Sequence, residues 1–222
     1  MSQNCDLPAP KQFAAEIDRQ IRSLPLRNTP NVRAIRRQFS IRLKQASAGY
    51  VLELARVLFH EYGYRSVTYE LIADHRGAFQ SLNEEILLEF GQGMNSWWSV
   101  DSFGRTLSGP AWREGLISDE LILSWAHALD RWWRRAALVS SVALNLRSKG
   151  GKGDVSRTLQ VCRLLVGDHD DMVAKAMSWA LRELVPHDPE AVRGFLTDHE
   201  KSLAARVKRE VKNKLETGLK NP

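Results

Sequence analysis

The stretch VAKAMSWALREL, from Val173 to Leu184, decides the fold class. Its apolar residues recur every three or four positions, as one buried face of an α-helix requires: Val173, Ala176, Met177, Ala180, Leu181 and Leu184. The same spacing joins Val51, Leu54 and Leu58, and it returns around Leu121 and Leu129. No convincing period-2 alternation competes with it, so we predict an all-α protein.

Four segments look like the second helix of successive helix pairs, and they begin at Arg65, Trp98, Arg135 and Lys175. Their starts lie 33, 37 and 40 residues apart. A helix pair at this period is typical of HEAT-like repeats, which stack into an α-solenoid. We therefore predict a single domain over 1–222, a HEAT-like repeat superhelix with a concave basic face, with flexible ends at 1–12 and 215–222. A generic helical bundle is the alternative.

Basic residues are clustered rather than spread evenly. The net charge is +6, and residues 19–44 contain eight Lys or Arg and no acid. Residues 131–163 contain eight more against Asp154 alone, and residues 201–214 add six. Such an excess favours a polyanionic partner, nucleic acid before an anionic membrane surface. Solvated helix faces are the alternative to phosphate binding at these three segments.

Several classes of protein are disfavoured by what the sequence lacks. Cys5 and Cys162 have no His or Cys nearby at metal-ligand spacing, so we expect neither a disulfide framework nor a metal site. The N-terminus lacks the apolar core of a signal peptide, and no window approaches 18 uncharged apolar residues. We expect a soluble, cytoplasmic monomer without a membrane or cofactor.

The loop SKGGKGD at 148–154 does not match a nucleotide-binding loop, because its spacing differs from GxxxxGK[ST] and no strand precedes it. We interpret it as a flexible basic loop, in which Lys149 and Lys152 touch the DNA backbone.

Three short motifs carry a resemblance to a known family: SWWSVD at 96–101, RWWRRAAL at 131–138 and VAKAMSWALRE at 173–183. In this order and approximate spacing they resemble the AlkD-type DNA glycosylases. The basic segment TPNVRAIRR at 29–37 is similar to the opening motif of that family. The resemblance covers most of the chain, and it implies hydrolysis of alkylated bases from duplex DNA without flipping the base into a pocket.

The resemblance also implies roles for single residues. The catalytic aspartate of the family falls on Asp101, its phosphate-binding arginine on Arg135, and its two nucleoside-contacting tryptophans on Trp97 and Trp179. Trp98 departs from the pattern, because many relatives have a polar residue there. It either packs in the core or extends the aromatic surface.

We predict Trp97, Asp101 and Arg135 as the catalytic residues. The predicted DNA-binding residues are Trp98, Trp179, Arg134, Lys175, Arg33, Arg36, Arg37, Lys149 and Lys152. The structural alternatives are an ion pair for Asp101 and a bridge between repeats for Arg135. The other tryptophans at 112, 125 and 133 are expected in the core.

Hydrolysis of an N-glycosidic bond develops positive charge at the sugar, by analogy with glycosides, and a carboxylate stabilises it and orients water. A single carboxylate without a partner acid suits a leaving group that is already cationic, such as 3-methyladenine or 7-methylguanine. We find no lysine at a Schiff-base position, so we predict a monofunctional DNA-alkylpurine glycosylase of base-excision repair. A non-catalytic HEAT-repeat DNA-structure binder and a protein-interaction solenoid are the alternatives.

Overall fold

The computed structural model describes residues 7–222, so Cys5 lies outside the described residues. Within this range the secondary structure is helical and contains no strand, which confirms the all-α prediction. No helix in residues 7–222 combines the length and the apolar character needed to span a bilayer. Helix–helix contacts divide the chain after Phe90 into two compact units.

The first unit is built from helices α1 to α6. Their bounds are α1 Pro10–Arg22, α2 Thr29–Leu43, α3 Ala48–His60, α4 Arg65–Asp74, α5 Arg76–Gln80 and α6 Glu84–Gly91. The side chains of Asn28 and Ser47 cap α2 and α3 by accepting a bond from the first turn. Phe13 and Phe39 meet edge to face in the core, with ring centroids 5.3 Å apart.

The second unit runs from Gly91 to Pro222. Its elements are α7 Trp97–Phe103, a π-helical turn Gly104–Ser108, α8 Gly109–Arg113, α9 Asp119–Ala126, α10 Arg131–Asn145, a 3₁₀ turn Arg147–Lys149, α11 Val155–Leu164, α12 Asp171–Leu184, α13 Pro189–Asp198 and α14 Ala205–Thr217.

Two rows of helices organise the second unit. Helices α7, α10, α12 and α14 pack one against the next in chain order. Helix α9 packs on α10, α11 on α9 and α12, and α13 on α12 and α14. Stacking of helix pairs in this way is consistent with the predicted α-solenoid. The predicted second helices correspond to α4, α7, α10 and α12.

Helix reaches into both ends that we expected to be flexible. Helix α1 begins at Pro10, and α14 continues to Thr217. Beyond α14, Gly218 adopts φ +75°. The side-chain Nδ2 of Asn213 donates to the carbonyl oxygen of Lys220 at 3.1 Å. The chain therefore folds back onto α14.

Two glycines, one at the start of the π-helical turn and one directly after it at the start of α8, set the spacing to α10. A Cβ on Gly104 would lie 2.6 Å from Cγ1 of Val139, and a Cβ on Gly109 would lie 2.6 Å from the carbonyl oxygen of Ser140. No real Cβ tolerates such contacts, so this close approach depends on glycine. It brings α7 against the first turns of α10.

Tryptophans fill the core next to this contact. Trp112 and Trp125 are buried, as predicted, and Trp133 packs against Trp125 with ring centroids 4.9 Å apart. Phe103 at the end of α7 joins them.

The loop at 148–154, which we interpreted as flexible, forms hydrogen bonds with neighbouring segments. The Gly151 amide donates to the carbonyl oxygen of Leu146, and the Asp154 amide to Oδ1 of Asn145. Arg113 donates to the carbonyl oxygen of Lys149 at 2.8 Å.

Candidate active site

The start of α7 fixes the position of Asp101. Ser96 and Ser99 form a capping box, in which each side chain accepts from the backbone N–H of the other residue. The helix therefore begins firmly at Trp97. Since Trp97 and Asp101 are four positions apart, they lie one above the other on one helix face.

Asp101 forms a two-point ion pair with Arg135 of α10. Nε and Nη2 of Arg135 donate to Oδ1 and Oδ2 of Asp101 at 2.9 and 3.0 Å. Nη1 of Arg135 donates to the carbonyl oxygen of Met172 in α12. Arg135 is only 5% exposed, so one guanidinium ties α7, α10 and α12 together.

Opposing effects act on the acidity of Asp101. Burial raises the pKa of its carboxyl group above the usual value, while the charges of Arg135 and Arg105 act against that rise. A carboxylate held in this environment is poorly solvated by water. It therefore interacts more strongly with a nearby positive charge than an exposed aspartate would.

An open cleft of about 370 Å³ lies beside this pair. Its walls carry two tryptophans and four cationic side chains, and the lining residues are Trp97, Arg135, Met172, Lys175, Trp179, Arg182 and Lys220. Trp97 is 56% exposed, while Trp179 is half-buried and donates from Nε1 to Oε1 of Glu183 at 3.1 Å. Flat aromatic surfaces among positive charges suit a ligand with a sugar ring and phosphates.

The structure brings five of the predicted residues together. Trp97, Arg135, Lys175 and Trp179 line the cleft, and Asp101 is bound to Arg135. Trp98, in contrast, is 50% exposed and is not part of this lining. It is therefore on the surface and not in the core.

Arg134 lies outside this group although it precedes Arg135. Its Nε donates to Oδ2 of Asp168 at 2.7 Å, and its Nη1 donates to the carbonyl oxygens of Ala128 and Leu129. These bonds hold the loop before α10 to the loop before α12. Its predicted contact with DNA would have to use the remaining N–H groups.

The predicted arginines of the first unit are partly neutralised. Arg33 and Arg36 both donate to Glu70 of α4, at 2.7 and 3.1 Å, and Arg36 also bonds to Asp74. Arg37 is exposed. The predicted loop lysines, Lys149 and Lys152, are likewise exposed.

Sequence reasoning missed Arg182 and Lys220 in the cleft. Arg182 follows Trp179 by three positions on α12, so helical spacing alone could have indicated it. The position of Lys220 depends on the turn at Gly218, which helical periodicity does not indicate. Among residues 7–222, no three His, Cys, Asp or Glu side chains are grouped as ligands for a metal ion.

The fold and the site define a class: all-helical proteins in which a buried carboxylate–arginine pair borders a cleft of tryptophans and cations. The chain belongs to the DNA alkylation repair enzyme family, whose model matches residues 11–215. This match confirms the family resemblance that the three motifs indicated. No curated protein matches the chain with significance.

Proposed function

We propose that this family member is a monofunctional DNA glycosylase, which hydrolyses the N-glycosidic bond of cationic alkylpurines such as 3-methyladenine and 7-methylguanine in duplex DNA. The observation that supports it best is the Asp101–Arg135 pair beside the cleft of Trp97 and Trp179. The proposal includes the sequence-based expectations of a HEAT-like superhelix with a concave basic face, acting as a cytoplasmic monomer.

Asp101 has the central role in this mechanism. As the C1′–N bond breaks, the alkylated base leaves with the bonding electrons and becomes neutral, while positive charge develops on the sugar. The half-buried carboxylate stabilises that charge and orients the water that adds to C1′, and the added water then releases one proton to solvent. Arg135 holds both carboxylate oxygens in a fixed position, so little reorganisation is needed during the reaction.

Tryptophans and cations supply the binding surface. The indole faces of Trp97 and Trp179 can pack on the deoxyribose and attract a cationic centre. Lys175, Arg182 and Lys220 can supply positive charge for the flanking phosphates. Arg135 can add to this, because a guanidinium has about five N–H donors and the bonds described above use three of them. Lys175 pairs with Asp171 and Lys220 with Glu210, so a phosphate would share these two cations with an acid.

The choice of cationic lesions rests on the acids near the cleft. Among residues 7–222 no Asp or Glu lines it, and Asp101 accepts hydrogen bonds from Arg135 through both oxygens. A leaving base that needs protonation would find no carboxylic acid in this lining to supply the proton. An N3- or N7-alkylpurine needs none, because its positive charge already activates the bond.

The test is single-turnover release of 7-methylguanine and 3-methyladenine from alkylated duplex DNA, with binding measured in parallel. We expect Asp101→Asn to lose release by about two to three orders of magnitude, the size typical of a lost electrostatic catalyst, while DNA binding is kept. Asp168→Asn is the matched control, because Asp168 forms a comparable ion pair with Arg134 outside the cleft. It should release bases at nearly the wild-type rate.

A non-catalytic DNA binder is the second candidate. It is favoured by the fact that Arg135 joins three helices, as a purely structural bridge would. Tight, salt-sensitive binding with no base released by the wild-type protein would establish this reading and overturn the glycosylase.

A further inference from the structure

Arg105 is a charged side chain that the proposed mechanism does not use. It follows Asp101 by four residues and belongs to the π-helical turn Gly104–Ser108, where the chain lies against α10. Insertions of π-helical turns into α-helices are rare and occur frequently at functional sites. The π-helical turn changes the direction in which the side chain of Arg105 leaves the helix, and this side chain lies next to the candidate site.

The surroundings of Arg105 differ from those of other arginines in the second unit. Its Nε is buried and has no hydrogen-bond partner among residues 7–222. Arg131, Arg134 and Arg157, in contrast, each form an ion pair with an aspartate. Buried polar groups normally have a partner, because desolvation without one costs free energy. Other interactions must therefore offset that cost.

Two such interactions are present, and both involve residues of the candidate site. Cζ of Arg105 lies 5.7 Å from the ring centroid of Trp179, within the range of a cation–π contact. Its positive charge also acts on the carboxyl group of Asp101. Arg105 of the π-helical turn thus lies over the ring of Trp179 in α12 and follows Asp101 by four residues in the chain.

We propose that Arg105 is a positioning residue of this site, which braces the indole of Trp179 and gives the carboxylate of Asp101 a second positive charge. The indole is then fixed by Arg105 at its ring and by Glu183 at Nε1. The charged groups that act on Asp101 are Arg135 from α10 and Arg105 from the π-helical turn. The catalytic meaning of this arrangement rests on the proposed function, but the arrangement itself can be tested without DNA.

The experiment is an NMR titration of the free protein. The Cγ resonance of Asp101, assigned with Asp101→Asn, reports the pKa of its carboxyl group. The indole N–H resonance of Trp179, assigned with Trp179→Phe, reports the setting of its ring. Arg105→Met keeps the length of the side chain and removes its charge, whereas Arg105→Lys keeps the charge and removes the planar guanidinium.

We expect Arg105→Met to raise the pKa of Asp101 and to shift the Trp179 indole resonance. Arg105→Lys should return the pKa of Asp101 to near its wild-type value while the indole resonance stays shifted. Arg131→Met is the control, because Arg131 lies over the ring of Trp132 and pairs with Asp170. It should change neither signal.

An unchanged pKa of Asp101 or an unchanged Trp179 resonance in folded Arg105→Met overturns the proposal. If that variant does not fold, Arg105→Lys decides, because its Trp179 resonance must shift while the Asp101 titration is kept. Single-turnover release by Arg105→Met should fall about three- to tenfold, the range that a cation–π contact accounts for. A wild-type protein that releases no base refutes the glycosylase, while the two resonances still decide the role of Arg105.

Discussion

At the scale of single residues, two neighbouring arginines have different roles. Arg135 is buried against Asp101, while Arg134 bonds to Asp168 and to two carbonyl oxygens of a loop. Successive side chains on an α-helix point about 100° apart, so adjacent residues necessarily meet different neighbours. Each arginine therefore requires a different experiment.

Arg135 should be essential for stability as well as for the site. Arg135→Ala leaves the half-buried carboxylate of Asp101 without its partner, and breaking such a pair costs roughly 3–5 kcal/mol of unfolding free energy. Urea unfolding measures the loss. The double variant Asp101→Asn/Arg135→Ala should recover part of it, because no unpaired charge remains. A loss in the double variant as large as the sum of both single losses would contradict this explanation.

The pH dependence of base release should show the raised pKa of Asp101. Catalysis needs the carboxylate, which is lost as pH falls through the pKa of the folded protein. The pKa of an aspartate in a model peptide is about 3.9. Because burial raises the pKa of Asp101, base release should decline on the acid side at a higher pH than that. Single-turnover rates measured across the acid range test this. If the rate instead declines with a midpoint at or below the pKa of an ordinary aspartate, the charge of Arg135 has a larger effect on this pKa than burial.

At the scale of elements, the contact between the π-helical turn and α10 depends on the absence of side chains. Gly104 and Gly109 lie where a Cβ would collide with α10, and this contact holds α7 so that Asp101 meets Arg135. Steric effects of this kind are local, so a single added methyl group can test them.

Gly104→Ala should destabilise the protein by roughly 1–3 kcal/mol, since overpacking forces neighbouring backbone to shift. Gly194→Ala in α13 is the matched control, because nothing lies within 4 Å of the added Cβ. It should stabilise by up to about 1 kcal/mol through the helix propensity of alanine. Chemical unfolding of both variants gives the comparison. Equal effects would show that the approach to α10 is not tight.

The sequence predicted helices better than it predicted contacts. Periodic apolar residues located α12, because helical spacing is a local signal. The resemblance of three short motifs to a known family indicated Trp97, Asp101, Arg135 and Trp179. The π-helical turn, the placement of Arg105 over Trp179 and the position of Lys220 depend on parts of the chain that are distant in sequence. Helical periodicity gives the face on which a residue lies but not its partner, so the ion pair of Arg134 with Asp168 could not be predicted from it.

At the scale of the whole molecule, the number of basic residues overstates the charge available to a ligand. Many arginines are neutralised by acids on neighbouring helices, including Arg33 and Arg36 on Glu70, Arg131 on Asp170 and Arg157 on Asp154. Binding to DNA should therefore depend on the cations that remain accessible rather than on the total of 32 Lys and Arg.

A substitution at Lys220 tests whether DNA binding depends on the cations of the cleft or on the total number of basic residues. Lys220→Gln should weaken DNA binding and reduce the slope of log K against log salt concentration by about 1, as expected for one lost phosphate contact. Lys212→Gln is the control on α14, because Lys212 pairs with Glu216 much as Lys220 pairs with Glu210, but only Lys220 lines the cleft. An equal reduction in both variants would show that general charge, and not the cleft, attracts the DNA.

The capture of Asp101 by Arg135 happens when the chain folds, before any damaged base is met. The free energy of desolvating that carboxylate is therefore spent during folding and not at each turnover. It lowers the free energy of unfolding of the protein. Replacement by an apolar pair of similar size would remove this cost, since buried ion pairs are often no more stable than such substitutes. Laboratory selection for heat tolerance alone would therefore favour variants that replace this pair, with higher stability and lower activity.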